Sequence, residues 1–294
     1  MTRGSILRLA TLALLWGSSF LWIKIALRGL SPVQLTLARL ALGAAVLLII
    51  THARRLALPR DRLTWTHLAV AALLANALPY YLFGLGEQTV PSSLAGALNA
   101  TTPLWTLAIG AAAGTERDLS ARRVGGLLLG FTGATLILAP WNGAGTGSLT
   151  GALACLAASL CYGISYVYMG HNLSRRGIPP LVLSAAQLTA ATAWLALATP
   201  IAGRQPVHLR ADALAATAIL GVLGTGLAYL LNYRLITDDG PTIASTVTYL
   251  LPAVSVTLGI LTLGEPLTWH LTVGTLTVLA GTALTARTTR QPKH

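Results

Sequence analysis

Negative charge is what this chain lacks most. Its 294 residues include 8 Asp and Glu, and only 10% of positions carry charge of either sign. A soluble chain is charged at about a quarter of its positions, so a surface built to face water is excluded over most of the length. The same scarcity leaves no paired-carboxylate site. All eight acids (Asp61, Glu87, Glu116, Asp118, Asp212, Asp238, Asp239 and Glu265) fall at or beyond the ends of apolar segments. Cysteine is nearly absent too, and Cys155 and Cys161, inside one apolar segment, imply neither a disulfide framework nor a metal site. The histidines His52, His67, His171, His208, His270 and His294 are scattered rather than clustered as metal ligands. No HExxH, nucleophile elbow or P-loop occurs. An enzyme is therefore not expected, nor a metal, a cofactor or direct use of ATP.

What the chain has is apolar length: 54% of its residues are hydrophobic and the mean hydropathy is +0.68. Ten segments are long enough to span a bilayer as helices: 5–27, 33–52, 65–86, 91–113, 120–140, 149–170, 179–200, 211–235, 241–263 and 268–287. Turn or charged stretches divide them, such as "HARRLALPRDR" from 52 and "WNGAGTG" from 141. The basic start resembles a signal peptide, but its apolar run is long and lacks a small-x-small cleavage site. It reads as a retained first helix. The net charge of +12 sits in short runs between apolar stretches, which points to membrane orientation rather than nucleic acid. With ten spans both termini share a side, and that side holds 15 of the 20 Lys and Arg. The positive-inside rule makes it cytoplasmic. The expected setting is a cell (inner) membrane, with the lipid bilayer as partner.

The chain also repeats itself. A shift of 149 lays Leu78, Tyr80 and Leu82 on Leu227, Tyr229 and Leu231. It also lays Pro103 on Pro252, Gly110 on Gly259 and Glu116 on Glu265. At a shift of 146 "WGSSF" (16–20) falls over "YGISY" (162–166), and at 148 Arg39 falls opposite Gln187. Five is odd, so the second five-helix copy must cross the membrane inverted. The fold expected is an all-α polytopic membrane protein of ten transmembrane helices in two inverted five-helix repeats, 1–145 and 146–294.

Two five-helix repeats, "WGSSF" in the first helix and the Pro–Glu pattern of the fourth and ninth resemble the EamA-type branch of the drug/metabolite transporter superfamily. The resemblance covers nearly the whole chain. It implies a ten-helix carrier of small metabolites, often an amino-acid exporter. In overall look the chain is most similar to YddG-type aromatic amino-acid exporters.

Polar groups within a bilayer are costly, so they usually face a cavity or another helix. Asn76, Tyr80, Phe83 and Glu87 share one helical face. Thr225, Tyr229, Asn232 and Ile236 match them in the second copy. Trp16, Ser19 and Phe20 pair likewise with Tyr162, Ser165 and Tyr166. From these stripes Trp16, Ser19, Asn76, Tyr80, Phe83, Tyr162, Tyr166, Tyr229 and Asn232, with Asn99, Gln187 and Thr248, are the expected lining of a central substrate cavity, although each Tyr could equally fill core space. Arg39 and Lys24 are the only deep cations. Arg39 could bind a substrate carboxylate or pair structurally, for instance with Glu87, and Lys24 lies near enough to a helix end to snorkel.

Pro103 and Pro252 free the carbonyls of Asn99 and Thr248 near mid-membrane. They are expected as a symmetric pair of hinges, or else as kinks patched by a Thr or Ser hydroxyl. The function expected is secondary transport of small metabolites by alternating access, with amino acids, aromatic ones included, as cargo. The same fold could export lipophilic drugs or nucleotide precursors, and a non-transporting receptor or scaffold leaves the duplication unexplained. A monomer is one expectation, and the glycines of the fifth and tenth segments suit close packing either within one chain or between two.

Overall fold

A computed structural model describes residues 3–117, 119–139, 146–174, 176–239, 244 and 246–285. Trp141, which opens the dividing stretch "WNGAGTG", lies outside the described residues. The described residues form helices and connecting turns. The first span joins α1 (Arg3–Gly17) to α2 (Ser19–Ala26). At their junction the hydroxyls of Ser18 and Ser19 both donate to the Leu15 carbonyl, 3.3 and 3.0 Å away. Helix α3 (Pro32–Ala53) begins with a reciprocal cap, in which Ser31 Oγ accepts from Gln34 N and Gln34 Oε1 accepts from Ser31 N. Pro32 fits there because the first turn needs no donor from it.

The third span is α4 (Arg62–Ala72), a π-helical stretch Leu73–Ala77, and α5 (Leu78–Glu87). Asp61 caps its start by accepting from Thr64 N at 2.7 Å, and that bond holds the Asp61 carboxyl below the usual carboxylate range. Pro79 cannot donate to the carbonyl of Ala75, and the widened turn absorbs the missing bond. The chain continues as α6 (Ser92–Asn99), α7 (Thr102–Ala112), α8 (Ala121–Leu138), α9 (Thr146–Asn172) and α10 (Pro180–Ala202). It then forms α11 (Ala211–Ala218), a second π stretch Ile219–Leu227, α12 (Ala228–Asp239), α13 (Val247–Leu263) and α14 (Trp269–Thr285). Shifted by 149, the first π stretch falls inside the second.

Among the described residues seven helices are long and apolar enough to cross a membrane: Arg3–Ala26, Pro32–Ala53, Arg62–Glu87, Ala121–Leu138, Leu149–Asn172, Pro180–Ala202 and Ala211–Ile236. Val247–Leu263 is a shorter apolar helix. The segment 91–113 is divided at Ala100–Thr101, just before Pro103. Pro103 withholds a donor from Asn99, and the Thr102 hydroxyl bonds that carbonyl at 2.8 Å. The Leu98 carbonyl takes hydroxyls from Thr101 at 2.7 Å and Ser159 at 3.1 Å. Pro252, by contrast, sits inside the continuous α13.

The major helix pairs join one half of the chain to the other: α3 with α10, α5 with α9, α6 with α13, and α8 with α14. The halves thus interlock in one body. Lipid tails are as apolar as leucine, so helices associate by close packing rather than by escape from water. The α8–α14 seam shows how close. A Cβ on Gly281 would lie 2.5 Å from the Gly130 nitrogen and 2.6 Å from the Gly126 carbonyl. These glycines bring two helices of one chain together.

Candidate functional site

Between the halves lies a cavity of about 700 Å³. Its wall takes Trp16, Ser19 and Phe20 from the first span, Arg39 from α3, and Tyr80 and Phe83 from α5. Asn99 and Pro103 come from the broken fourth segment, Tyr162 and Tyr166 from α9, and Gln187 from α10. Tyr229 and Asn232 of α12 and Thr248 of α13 complete it. The edge of Trp16 meets Tyr229 with centroids 6.2 Å apart. Phe83 lies 6.1 Å from Tyr162 and 5.3 Å from Phe20, which it meets edge-on. Rings in such contacts form rigid apolar faces, and the tyrosine hydroxyls supply polar edges.

The lining extends to one end of the bundle, where Glu116, Arg123, Met169, Ile236 and Thr285 border it. This is the end that carries the chain's first residues: Ser5 Oγ donates to Asp239 at 2.7 Å, and Arg8 pairs with Asp238. Arg123 bridges Glu116 at 3.1 Å and donates to the Thr285 carbonyl. The lining does not reach Lys24, Glu87, Val90 or Glu265 at the opposite end. Below the Phe20–Phe83 pair, Lys24 Nζ donates to the carbonyls of Glu87 and Val90 at 2.5 and 2.8 Å. It does not snorkel outward, because the frayed carbonyls at the end of α5 offer closer acceptors. Next to them Glu265 accepts from the backbone nitrogens of Ser92 and Ser93 at 2.7 and 2.9 Å. Burial raises the Glu265 carboxyl, but the N–H donors from Ser93 and Ser92 outweigh it, and the net shift is downward. Gly264, at φ 66°, makes the left-handed turn that aims Glu265 back at α6.

Asn76 was expected on the wall, but it is 0% exposed and stands behind it. Its amide nitrogen donates to the Tyr229 hydroxyl at 2.7 Å and its oxygen accepts from Gln187 Nε2 at 2.6 Å. Asn76 itself lies within the π stretch Leu73–Ala77. Pro252 is also absent from the wall, although Leu251 and Thr248 lie on it.

The residue that sequence periodicity under-weighted is Arg39. Its Nε donates to Thr225 Oγ1 at 3.0 Å, and its guanidinium lies 4.0 Å above the centre of the Tyr80 ring. No carboxylate among the described residues comes within ion-pair distance of it, Glu87 included. A guanidinium so placed offers the remaining donors of its planar fork to an anion in the cavity.

Apolar helices long enough to span a bilayer, packed around a polar and aromatic cavity that reaches one end, define a multi-pass membrane protein of the transporter class. The chain belongs to the EamA-like transporter family, whose model matches it twice, over residues 3–139 and 149–287. It is 27% identical to the uncharacterized transporter YvbV of Bacillus subtilis, over 96% of this chain and 91% of that one. It is 28% identical to the uncharacterized inner membrane transporter YedA of Escherichia coli, over 85% and 80%. An uncharacterized protein of Pseudomonas aeruginosa is 32% identical over 87% of this chain and 84% of its own length. A solved structure described only as "Crystal structure of protein" superposes with a TM-score of 0.67 at 20% identity, over 97% of this chain and 98% of its own. That likeness concerns the fold alone. Similarity to aromatic amino-acid exporters in particular is not among these findings.

Proposed function

We propose that this EamA-family protein is a secondary transporter that exports small carboxylate-bearing metabolites, namely amino acids with aromatic or bulky apolar side chains. The observation that carries this reading is Arg39, an unneutralised guanidinium on a cavity wall rich in aromatic rings. A carboxylate satisfies the guanidinium fork, and Tyr80, Phe83, Tyr162 and Tyr229 accept a ring or apolar side chain. Asn99, Asn232, Gln187, Ser19 and Thr248 offer polar contacts for the amino group.

In this reading the ten segments form two inverted copies, 1–145 and 146–294, in an inner membrane with both termini cytoplasmic. The cavity then faces the cytoplasm, where an exporter loads. Alternating access shifts the opening to the far end, with the helix break at Pro103 and the proline of α13, Pro252, as the paired hinges. One chain suffices as the working unit.

The test is counterflow into liposomes holding the purified protein, with labelled tryptophan, phenylalanine and leucine set against a nucleoside and a lipophilic cation. Saturable flux of the amino acids, suppressed by excess unlabelled amino acid, is expected. Flux of the nucleoside or the cation alone, or leakage without saturation, overturns the reading.

A further inference from the structure

Beneath the Phe20–Phe83 floor the fold buries a carboxyl group for which it provides no partner. Glu87 ends α5 and is 0% exposed, and neither carboxyl oxygen has a hydrogen-bond donor. The ionisable groups that face it are Lys24 from α2, Arg39 from α3, Cys155 from α9 and Glu265 from the turn before α14. Neither cation pairs with it. The Lys24 ammonium is committed to backbone carbonyls, and Arg39 to Thr225 and the Tyr80 ring. Glu265 adds a second acid rather than a donor. An ionised carboxylate sealed in apolar surroundings without donors costs far more than the neutral acid.

We propose that Glu87 is a proton-binding site that gates the end of the transporter opposite the termini. It holds a proton while α2, α5 and α9 are closed around it and yields that proton to water when this end opens. The bond broken is the carboxyl O–H, the electron pair stays on oxygen, and closing takes a proton back from the same side. Lys24 belongs to the same device. It ties α2 to the last carbonyls of α5, so parting the two helices hydrates the ammonium and the new carboxylate together. Acid on that side therefore holds the end shut, and the inference does not depend on which metabolite is carried.

Cys155 is a built-in reporter. It is 0% exposed, and a Cβ on Gly86 would lie 2.5 Å from its sulfur. With Cys161→Ser as background, a membrane-impermeant maleimide applied to the side opposite the termini reaches Cys155 only when that end opens. The thiolate is the reacting form, so labelling speeds up with pH in every variant. Glu87→Gln keeps that chemistry but removes the gating proton. The parent's labelling rate should rise more steeply with pH than that of Glu87→Gln, by up to about tenfold per pH unit for one linked proton. Glu87→Asp should keep the steeper slope. Equal slopes in parent and Glu87→Gln overturn the proposal. If Glu87→Gln fails to fold, infrared spectroscopy of the parent decides. A protonated carboxyl C=O band should be present at neutral pH, above the ordinary carboxyl range, and its absence there overturns the proposal.

Discussion

Replacing Arg39 with Gln should weaken substrate binding far more than it weakens the fold. The guanidinium makes one side-chain hydrogen bond, to Thr225 Oγ1, and one ring contact, with Tyr80. After its removal the Thr225 hydroxyl still donates to the Leu220 carbonyl at 2.9 Å, and no ion pair among the described residues is broken. Loss of a single hydrogen bond costs about 1 kcal/mol of stability. The substrate loses a charge-assisted contact worth ~1.5–3 kcal/mol, which raises half-saturation roughly 10- to 150-fold. Arg39→Lys should fall between the two, since an ammonium keeps the charge but not the planar fork. The assay is concentration-dependent amino-acid counterflow, with thermal unfolding in detergent as the control for folding. Two results refute the reasoning: unchanged half-saturation in Arg39→Gln, or parent protein that carries an amino-acid methyl ester as well as the free acid.

Other expectations concern packing, polar bonds and orientation. Gly281→Leu should lower the thermal midpoint sharply, because its first side-chain carbon would sit 2.5 Å from backbone of α8, whereas Gly125→Ala, with nothing within 4 Å, should be tolerated. Asn76→Ala leaves Gln187 Nε2 and the Tyr229 hydroxyl without their partner, and unfolding measurements should show a cost of about 1–3 kcal/mol. The depressed Glu265 carboxyl contributes stability that is present above the ordinary glutamate range, near pH 4.3, and is lost as pH falls through its lower folded value. Thermal midpoints followed into acid should therefore converge between parent and Glu265→Gln, the parent being the more stable at neutral pH by about 1 kcal/mol once partial exposure is allowed for. A Cys at Ala57 should react with impermeant reagents from the cytoplasm and one at Val207 from the opposite side, and the reverse pattern would invert the assigned orientation.

Apolar length was legible from the sequence, because span length and transfer energy depend on local composition. Helical spacing also brought Trp16, Tyr80, Phe83, Tyr162 and Tyr229 to one cavity, since a face is a local property wherever a helix is regular. It did not extend to Asn76, whose side chain stands behind the wall on Tyr229 and Gln187. Partnership lay beyond it altogether. That Arg39 meets no carboxylate among the described residues, that Lys24 turns onto the end of α5, that Glu87 is sealed without a donor and that Gly281 faces Gly130 all depend on separate helices packing together. Composition decides that a helix enters the bilayer. Which buried charge is paired, and which is left open to a ligand or a proton, is decided only when the helices close on one another and water is gone.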